Sequence, residues 1–564
     1  MDGFGNGSHL FRPGSEVRLI ARVCRATLWL AVFTAIPSWL VPARADSVPA
    51  GRDHLPTVPL LNVWTLSWNA DRAAGGFGGY WDAPIFADAP LALGFSEPQP
   101  ATLATAPAVW LGASSGRAFG WYVWAAVFLN GAVTWAGLRR LGLAAVPAAA
   151  GGVLTQVLPL AVAELSAAQL LHVWPLVGLL VAAEAMMRKP SPAAGAAAGA
   201  FFGLAVATCL HHALMAGVLA AVLLPAAAWR WGVTHRRRWR AVAGSLVAGA
   251  AVAAAVSLPV VLPVRAALDR EAFERREETV AKLSARPAAY ARQPASVWDA
   301  AASSAVRRLR PGALTIALAV AGVFAAWRSP RRWWTVGLVL LLAASAALSF
   351  GANLRAGPVD VWGWLRETLP GVRHVRNVYR FAFFAQVAAV LLACESLQLL
   401  WGDRSRRRRW LRAAAVLLAA AAVAEVWPPR AVRVGLPVES ANAAWAEAVR
   451  EGTPPGGTLL HLPMGGPKTA LSYAPTARWM VLQRLHGVPL VNGYSGFFPR
   501  EYWDARAAFA DGIQPADVRK LRSRRVAFIA VTRGAEVPID VGPDVLRPVD
   551  VEGPVALYRV VPVD

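Results

Sequence analysis

Long apolar stretches separated by short basic segments dominate the chain. Eleven of them approach or reach the roughly 20 residues that a helix needs to cross the hydrocarbon core of a bilayer. They predict spans at about 24–43, 119–138, 142–162, 171–187, 193–212, 213–229, 241–263, 312–327, 333–350, 381–401 and 411–427. The stretch 100–112 is interrupted by proline, and we interpret it as interfacial or re-entrant. The pattern predicts a polytopic α-helical membrane protein.

The positions of the basic clusters predict which loops lie inside the cell. Clusters at 138–140, 187–189, 235–240, 328–332 and 403–410 fall in alternate loops, and the N-terminal arginines share their side. Cytoplasmic loops carry an excess of Lys and Arg, so we place the N-terminus in the cytoplasm. The exported segments are then about 44–118, 163–170, 264–311, 351–380 and everything after 427. The first span also resembles a cleavable signal peptide ending near Ala43 and Ala45, although we favour an uncleaved span.

Composition agrees with a membrane location. The chain is 56% hydrophobic with a mean hydropathy of +0.41, and only 16% of its residues are charged. Soluble domains are about 25% charged. The net charge of +23 could indicate a nucleic-acid partner, but the basic residues lie in short clusters between apolar stretches, so we predict none. The three cysteines show no metal-ligand spacing and are interpreted as buried apolar residues.

Two of the exported regions are larger than connectors. The first, 44–118, is rich in aromatic residues, glycine and proline, and loops of this length are usually functional or disordered. The second, 428–564, shows strand patterns at 457–463, 488–493, 525–532 and 555–561, with helical patterns between them. We therefore predict a transmembrane domain over 1–427 and a C-terminal extracytoplasmic α/β domain over 428–564.

The segment "LPGVRHVRNVYRFAFF", residues 369–384, places three arginines where a span begins. Arg373, Arg376 and Arg380 are three and four residues apart, which predicts one shared face of a helix. One interpretation is that these side chains reach outward to lipid headgroups. The other is an anion site, because the planar donor fork of arginine matches phosphate oxygens.

Several loose motifs follow one another along the chain. They are "GRDHLP", "YWDAPIFADAPLALGFSEPQP", "LSAAQLLHVWPL", "ATCLHHALMAG", the arginine segment, "LLHLPMGG" and "LHGVPLVNGYSGFFP". In this layout the chain resembles the bacterial polytopic GT-C-type glycosyltransferase-like membrane proteins, which are related to lipid-linked mannosyl- and arabinosyltransferases. The family's paired acidic signature is absent beside Asp53, where the sequence reads Arg-Asp-His.

The resemblance implies a site for a polyprenyl-phosphate-linked sugar. Asp53 matches the position of the catalytic base, with Asp82 and Glu97 as further candidates, although acids in such sequences also cap turns. Arginines of the late exported loop would hold the lipid phosphate. Three histidines at predicted outer span ends would bind substrate or a metal, or serve as ordinary polar residues of the interface: His172, His211 and His212. Glu164 and Gln169 belong to the same candidate site as the histidines. Whether the site binds a divalent cation is left open by the sequence.

Three functions are consistent with these features. The first is a glycosyltransferase acting at the outer face of a bacterial cytoplasmic membrane. The second is a non-catalytic relative that binds lipid-linked sugar or organises envelope assembly. The third, a transporter or flippase, is disfavoured because the spans are almost entirely apolar in their middle and no internal repeat is present.

Overall fold

The computed structural model describes residues 15–51, 55–87, 89–299, 305–327, 329–356, 358–402, 408–466 and 469–562. Its helices are α1 Ser15–Leu40, α2 Thr57–Ala74, α3 Ala106–Trp110, α4 Ser115–Arg140, α5 Ala145–Gln156, α6 Pro159–Ala163, α7 Trp174–Arg188, α8 Pro192–Thr208, α9 Leu210–His235, α10 Trp239–Arg270, α11 Glu277–Lys282, α12 Pro287–Ala291, α13 Ala313–Trp327, α14 Arg332–Ser349, α15 Val361–Thr368, α16 Ala382–Gly402, α17 Arg408–Glu425, α18 Ala443–Gly452, α19 Ala474–His486, α20 Arg500–Phe509 and α21 Val518–Ser523. Its strands are β1 Ser47–Ala50, β2 Arg355–Ala356, β3 Val359–Asp360, β4 Val432–Gly435, β5 Thr458–Leu462, β6 Val526–Thr532, β7 Leu546–Val549 and β8 Val555–Val560.

Each predicted span coincides with helical structure. Five stretches of the described residues are long and apolar enough to cross a membrane: Ala145–Ala163, Ala168–Arg188, Leu210–Arg270, Arg332–Ser349 and Val378–Gly402. Shorter apolar helices lie at Thr27–Leu40, Pro192–Thr208 and Ala313–Trp327. The chain is therefore a helical membrane protein. The count of eleven spans and the side on which each end lies stay predictions.

Helices α8 and α10 pack with almost no space between their backbones. Gly195 and Gly199 lie four residues apart on α8, and a Cβ atom there would come within 1.8 Å of the Ser245 carbonyl oxygen and 2.2 Å of the Gly249 carbonyl oxygen. Small residues at this spacing let membrane helices approach closely and gain van der Waals contact. The glycines of "PAAGAAAGAFFG" therefore specify this helix pair.

Buried ion pairs join helices near the predicted cytoplasmic end. Glu395 of α16 is almost fully buried and accepts hydrogen bonds from Arg331, with an Nη2–Oε2 distance of 2.8 Å. Glu184 of α7 contacts Arg230 of α9 at 2.7 Å. An unpaired charge at this depth would be costly, so each pair satisfies both of its members and fixes the relative positions of its helices.

A four-stranded sheet with the order β5-β6-β8-β7 forms the C-terminal region. Strands β5 and β6 are parallel, whereas β8 is antiparallel to β6 and to β7. Three of the four predicted strands are present, and β7 is additional. The strand predicted at 488–493 is wrong: Leu490 forms one isolated bridge to Leu459. Pro489 and Val491 bond the Leu459 backbone, but the N–H and C=O of Leu490 itself bond Pro84 and Ala87 of the first loop, so the pairing with β5 does not extend into a strand.

The first loop and the C-terminal region interlock. Strand β1 pairs with β4, and the Trp64 indole of α2 donates to Gln483 of α19 at 3.0 Å. The Phe497 backbone N–H donates to the Phe95 carbonyl at 3.2 Å. The two large regions that the sequence separates thus form one packed layer at one end of the helix bundle. The boundary at residue 428 remains a prediction.

Candidate active site

The arginine segment does not form the single helix that its spacing predicted, so that prediction is wrong. Two 3-10 turns, Val372–His374 and Val378–Phe381, flank an extended Val375 with φ −81° and ψ 125°. Gly371, at φ +84°, supplies the left-handed turn that starts the segment. The Tyr379 N–H donates to the Leu283 carbonyl, which holds the chain away from helical geometry. The three arginines consequently have different surroundings.

Arg373 lies at the periphery. Its side chain is 51% exposed and contacts Asp269 at 3.7 Å and Glu274 at 3.5 Å. Exposed ion pairs of this kind contribute at most about 1 kcal/mol. The charge of Arg373 is therefore neutralised by two acids. Substitution of Arg373 is a suitable control for substitutions of Arg376 and Arg380.

Arg380 is committed to partners within the protein. Its Nη2 donates to Glu164 Oε2 at 2.8 Å, and the Tyr379 hydroxyl donates to the other carboxylate oxygen. With the Asn377 amide oriented to suit its partners, its oxygen accepts from Nη1 and Nη2 of Arg380 at 3.0 and 3.2 Å. Glu164 is buried, so Arg380 supplies the charge that makes a carboxylate tolerable there.

Glu97 is held at the N-terminus of α9. Cys209 interrupts the helical path between α8 and α9 with φ −154°, and the next helix presents its free N–H groups. Oε1 of Glu97 accepts the His211 N–H at 2.9 Å and lies 3.6 Å from His211 Nδ1. Burial raises the pKa of Glu97, but the hydrogen bonds to His211 and the positive charge of Arg380 outweigh it, and the pKa lies below its usual value.

The other carboxylate oxygen of Glu97 has no such support. Oε2 is buried and has no hydrogen-bond partner among the residues that the structure describes. Buried polar atoms are nearly always bonded, so an unpartnered one in a native site calls for an explanation such as a ligand or a water. Glu97 thus presents an ionised carboxylate with one oxygen anchored and one available.

The segment that follows Glu97 is fixed by a chain of amides. Gln99 adopts a left-handed conformation with φ +46°, and its Nε2 donates to Asn62 Oδ1 at 2.8 Å. Asn62 in turn donates to Gln169 Oε1 at 3.1 Å, and Asn69 donates to the Pro98 carbonyl at 2.8 Å. Strained backbone held by surrounding contacts is typical of functional sites. The network positions the segment that carries Glu97 and includes Gln169.

Two of the three histidines, His211 and His212, lie close to Glu97, and His172 lies close to His212. His172 accepts from the Trp174 indole at 3.1 Å, and its ring centroid lies 4.5 Å from that of Tyr122. His212 packs edge-on against Phe383 at 4.7 Å and lies within electrostatic range of His172, His211 and Glu97. Buried atoms without partners in the described structure converge here: Tyr122 OH, His172 Nε2, His211 Nε2, His212 Nδ1 and His212 Nε2.

Arg376 differs from its two neighbours. It is exposed to solvent, and it makes no ion pair or side-chain hydrogen bond with any residue of the described ranges. Protein packed around its guanidinium removes part of the hydration, and this desolvation, followed by the charge of Arg380, lowers the pKa of Arg376. Tyr494 and Glu164 have smaller opposing effects. A guanidinium held near another cation without a carboxylate of its own is suited to receive an anion.

Arg275 is a site residue that the sequence did not reveal. Burial and the nearby charge of Arg376 lower its pKa to about 9. Its Nη2 donates to the Gly496 carbonyl at 2.8 Å, and its guanidinium lies 4.4 Å from the centroid of the Phe273 ring. In the sequence it stands within "ERREE", residues 274–278, where neighbouring glutamates suggest that its charge is neutralised locally. Arg275 and Arg376, called the arginine pair below, come from two different loops.

Other candidates lie elsewhere. Asp82 is exposed and accepts the Leu91 N–H at 2.9 Å, which is the turn-capping role that the sequence left open. In the motif "LHGVPLVNGYSGFFP", Asn492 accepts the His461 N–H at 2.7 Å, and Phe497 packs on Phe95 with centroids 4.8 Å apart. Asp53 lies outside the described residues, so its position relative to Glu97 stays a prediction.

The described residues do not offer a metal centre. No group of three or more His, Cys, Asp or Glu side chains is arranged to hold a metal ion within the ranges given above. Glu97 is engaged with His211, and Glu164 is engaged with Tyr379 and Arg380. We therefore assign no divalent cation to these described residues.

Comparison with solved structures finds an arabinofuranosyltransferase, an oligosaccharyltransferase and ArnT. An arabinofuranosyltransferase, AftD, from Mycobacteria is 15% identical, with a TM-score of 0.51 over 95% of this chain and 41% of that chain. An oligosaccharyltransferase from Archaeoglobus fulgidus is 12% identical, with a TM-score of 0.48 over 90% of this chain and 69% of its own. ArnT from Cupriavidus metallidurans, bound to undecaprenyl phosphate, is 15% identical, with a TM-score of 0.46 over 94% and 97%.

These likenesses concern the fold. No protein-family model matches the sequence, and no curated protein matches it either. The two TM-scores below 0.5 carry no weight here, and the chain spans about two fifths (41%) of the length of the arabinofuranosyltransferase. The fold agrees with the motif layout of the sequence. The chain accordingly has the fold of the GT-C-type membrane glycosyltransferases.

Proposed function

We propose that the chain transfers a sugar from a polyprenyl-phosphate donor to an acceptor hydroxyl at a membrane surface. The carrying observation is that His211 lies 3.6 Å from Glu97, which has an available carboxylate oxygen, and is also close enough to feel the charge of Arg376, a solvent-accessible arginine without an ion-pair partner among the described residues. The fold is that of glycosyltransferases, which supports the general class of reaction.

The arginine pair would hold the donor phosphate. When the bond between the anomeric carbon and the phosphate oxygen breaks, the electron pair goes to that oxygen and negative charge develops there. Preorganised cations at this position stabilise the transition state more than the ground state. Arg376 is free to bind because it has no carboxylate partner in the described structure, whereas Arg373 and Arg380 are already paired.

Glu97 would act as the general base. The acceptor oxygen forms the new bond to the anomeric carbon, and its proton passes to Oε2 of Glu97. The carboxylate is ionised at neutral pH because its pKa is lowered, so it is in the protonation state that a base requires. Oε1 stays anchored on the N-terminus of α9, which fixes the direction of Oε2. An attack opposite to the leaving phosphate inverts the anomeric carbon.

The histidines would orient substrate hydroxyls. Tyr122, His172 and His212 present buried polar atoms that lack partners in the described ranges. Sugar hydroxyls both donate and accept hydrogen bonds, so they would satisfy neutral imidazoles and a phenol alike. We place this site at the outer face of a bacterial cytoplasmic membrane, with the C-terminal region outside, from the distribution of basic residues.

The test is transfer of labelled sugar from a panel of polyprenyl-phosphate sugars by purified protein. Glu97→Gln keeps the size of the side chain and removes the base, so turnover falls about 10²- to 10⁴-fold. Asp82→Asn is the matched control and retains turnover, because Asp82 only caps a turn. Asp53→Asn, measured in parallel, identifies the base if Glu97→Gln stays active. Saturable binding of donor lipid without turnover by any donor would instead favour the non-catalytic relative.

A further inference from the structure

A second basic site lies in the segment between α12 and α13. A cavity of about 260 Å³ is lined by Arg292, Gln293, Asp299, Arg307 and Arg308. Three arginines and one aspartate leave an excess of two positive charges on its wall. None of these residues belongs to the cluster around Glu97, so the cavity is separate from the proposed active site.

The positive charge of this cavity is only partly neutralised. Arg308 contacts Asp299 at 2.7 Å. Arg292 and Arg307 make no ion pair or side-chain hydrogen bond within the described ranges. Residues 300–304, which the structure does not describe, are Ala-Ala-Ala-Ser-Ser and carry no charge. Two arginines beside a cavity without acids of their own favour an anion.

The helix that follows the cavity along the chain, α13, exposes an apolar surface. Helix α13 begins five residues after Arg308 and exposes Ile316, Val320 and Phe324, at 39%, 53% and 76%. These residues repeat every four positions and so form one apolar stripe along the helix. Such a stripe on a membrane helix is suited to acyl chains. A cavity suited to an anion and a surface suited to acyl chains therefore lie next to each other at the start of α13.

An exposed tryptophan marks the same level. Trp298 is 72% exposed, and its indole donates to the Ala424 carbonyl at the end of α17 at 2.6 Å. The carboxylate of Glu425 accepts the first free N–H groups of α13, from Ala313 and Leu314. Tryptophan is enriched where headgroups meet hydrocarbon, and the joined ends of α13 and α17 fit that position.

We propose that this cavity binds the phosphate headgroup of an anionic phospholipid, whose acyl chains lie along the apolar stripe of α13. The two unpaired arginines supply the charge and the stripe supplies the apolar surface. A free phosphate would use the arginines but leave the stripe without a role. The polyprenyl donor belongs at the arginine pair in the proposed active site, which shares no residue with this cavity.

The experiment measures lipid retention by the full chain. The protein is reconstituted into nanodiscs containing phosphatidylglycerol and phosphatidylcholine and is then extracted in a mild detergent. Native mass spectrometry measures the mass, and hence the identity and number, of the lipids that remain bound. We expect selective retention of phosphatidylglycerol, reduced at least about tenfold in Arg292→Gln/Arg307→Gln. The matched control is Lys282→Gln/Arg286→Gln, which removes two exposed charges from the same region outside the cavity and retains the lipid.

Three results would overturn the proposal. They are equal retention by all three proteins, release of the lipid by millimolar inorganic phosphate alone, and one-for-one displacement by polyprenyl phosphate. The melting temperature in phosphatidylglycerol relative to phosphatidylcholine nanodiscs gives a second readout, and it should fall in the cavity variant only. Sugar transfer in detergent is unchanged by the cavity variant, so failure here is separable from failure of the proposed enzyme.

Discussion

Replacing Arg376 with alanine should separate catalysis from stability. Arg376 has no partner in the described structure, and its closest charged neighbours include Arg380 and Arg275, which repel it. The folded protein therefore loses no ion pair when the side chain is removed, and the repulsion is relieved. We expect an unchanged or slightly raised melting temperature. Any loss of activity then reports on the donor phosphate.

The expected loss follows from the geometry of the arginine pair. Removing one preorganised donor from developing negative charge costs about 2.7–4 kcal/mol, or roughly 10²- to 10³-fold in turnover. Arg275 remains and still offers its unbonded Nε, so we expect the lower end, about 10²-fold in kcat/KM. Arg376→Lys keeps the charge but loses the fork, and it should recover only part of the activity.

Arg373→Ala is the matched control in the same loop. Its ion pairs with Asp269 and Glu274 are exposed, so we expect activity within about threefold of the unmodified protein. Transfer from a fixed polyprenyl-phosphate sugar is measured beside thermal unfolding in the same detergent. Normal turnover by Arg376→Ala would rule out a role of Arg376 in binding the donor phosphate. An equal loss of activity in Arg373→Ala would show that the net positive charge of the loop, and not a specific contact of Arg376, supports turnover.

Two further predictions concern stability. Arg380→Ala leaves Glu164 buried without its countercharge and should destabilise the protein by about 3–5 kcal/mol, with partial recovery in Arg380→Ala/Glu164→Ala; an unchanged melting temperature would contradict this. His461 is buried, neither of its ring nitrogens has a hydrogen-bond partner among the described residues, and its ring stacks on Trp479 at 4.4 Å. Burial and the neighbouring His486 place its pKa well below 6.5. Because the unfolded chain takes up that proton first, stability falls as pH decreases below about 6.5, by up to roughly 1.4 kcal/mol per pH unit. His461→Phe keeps the stacking and should flatten this dependence in thermal unfolding from pH 7 to 5, whereas an unaltered slope would assign it to other groups.

The chain sequence alone determined the helical membrane architecture. A membrane-spanning helix must satisfy its own backbone hydrogen bonds in lipid. The length of each apolar stretch, which is local information, is therefore enough to predict the helix. The predicted spans therefore fall on helices, and the motif layout led to the fold that the solved structures share. The strands β5, β6 and β8 were likewise visible in the sequence as short apolar runs between turns.

The tertiary structure decided which polar residues act together. Arg275 and Arg376 are 101 positions apart in the sequence, and Glu97 and His211 are 114 positions apart. No local sequence pattern therefore relates the members of either pair. The segment 488–493 has the apolar composition of a strand, yet it divides its backbone hydrogen bonds between Leu459 of β5 and the first loop. The arginine spacing fits a helix, yet Gly371 and the Leu283 carbonyl impose two 3-10 turns. Spacing along the chain fixes neighbours on an isolated element, whereas burial and long-range hydrogen bonds choose the partners of a charge.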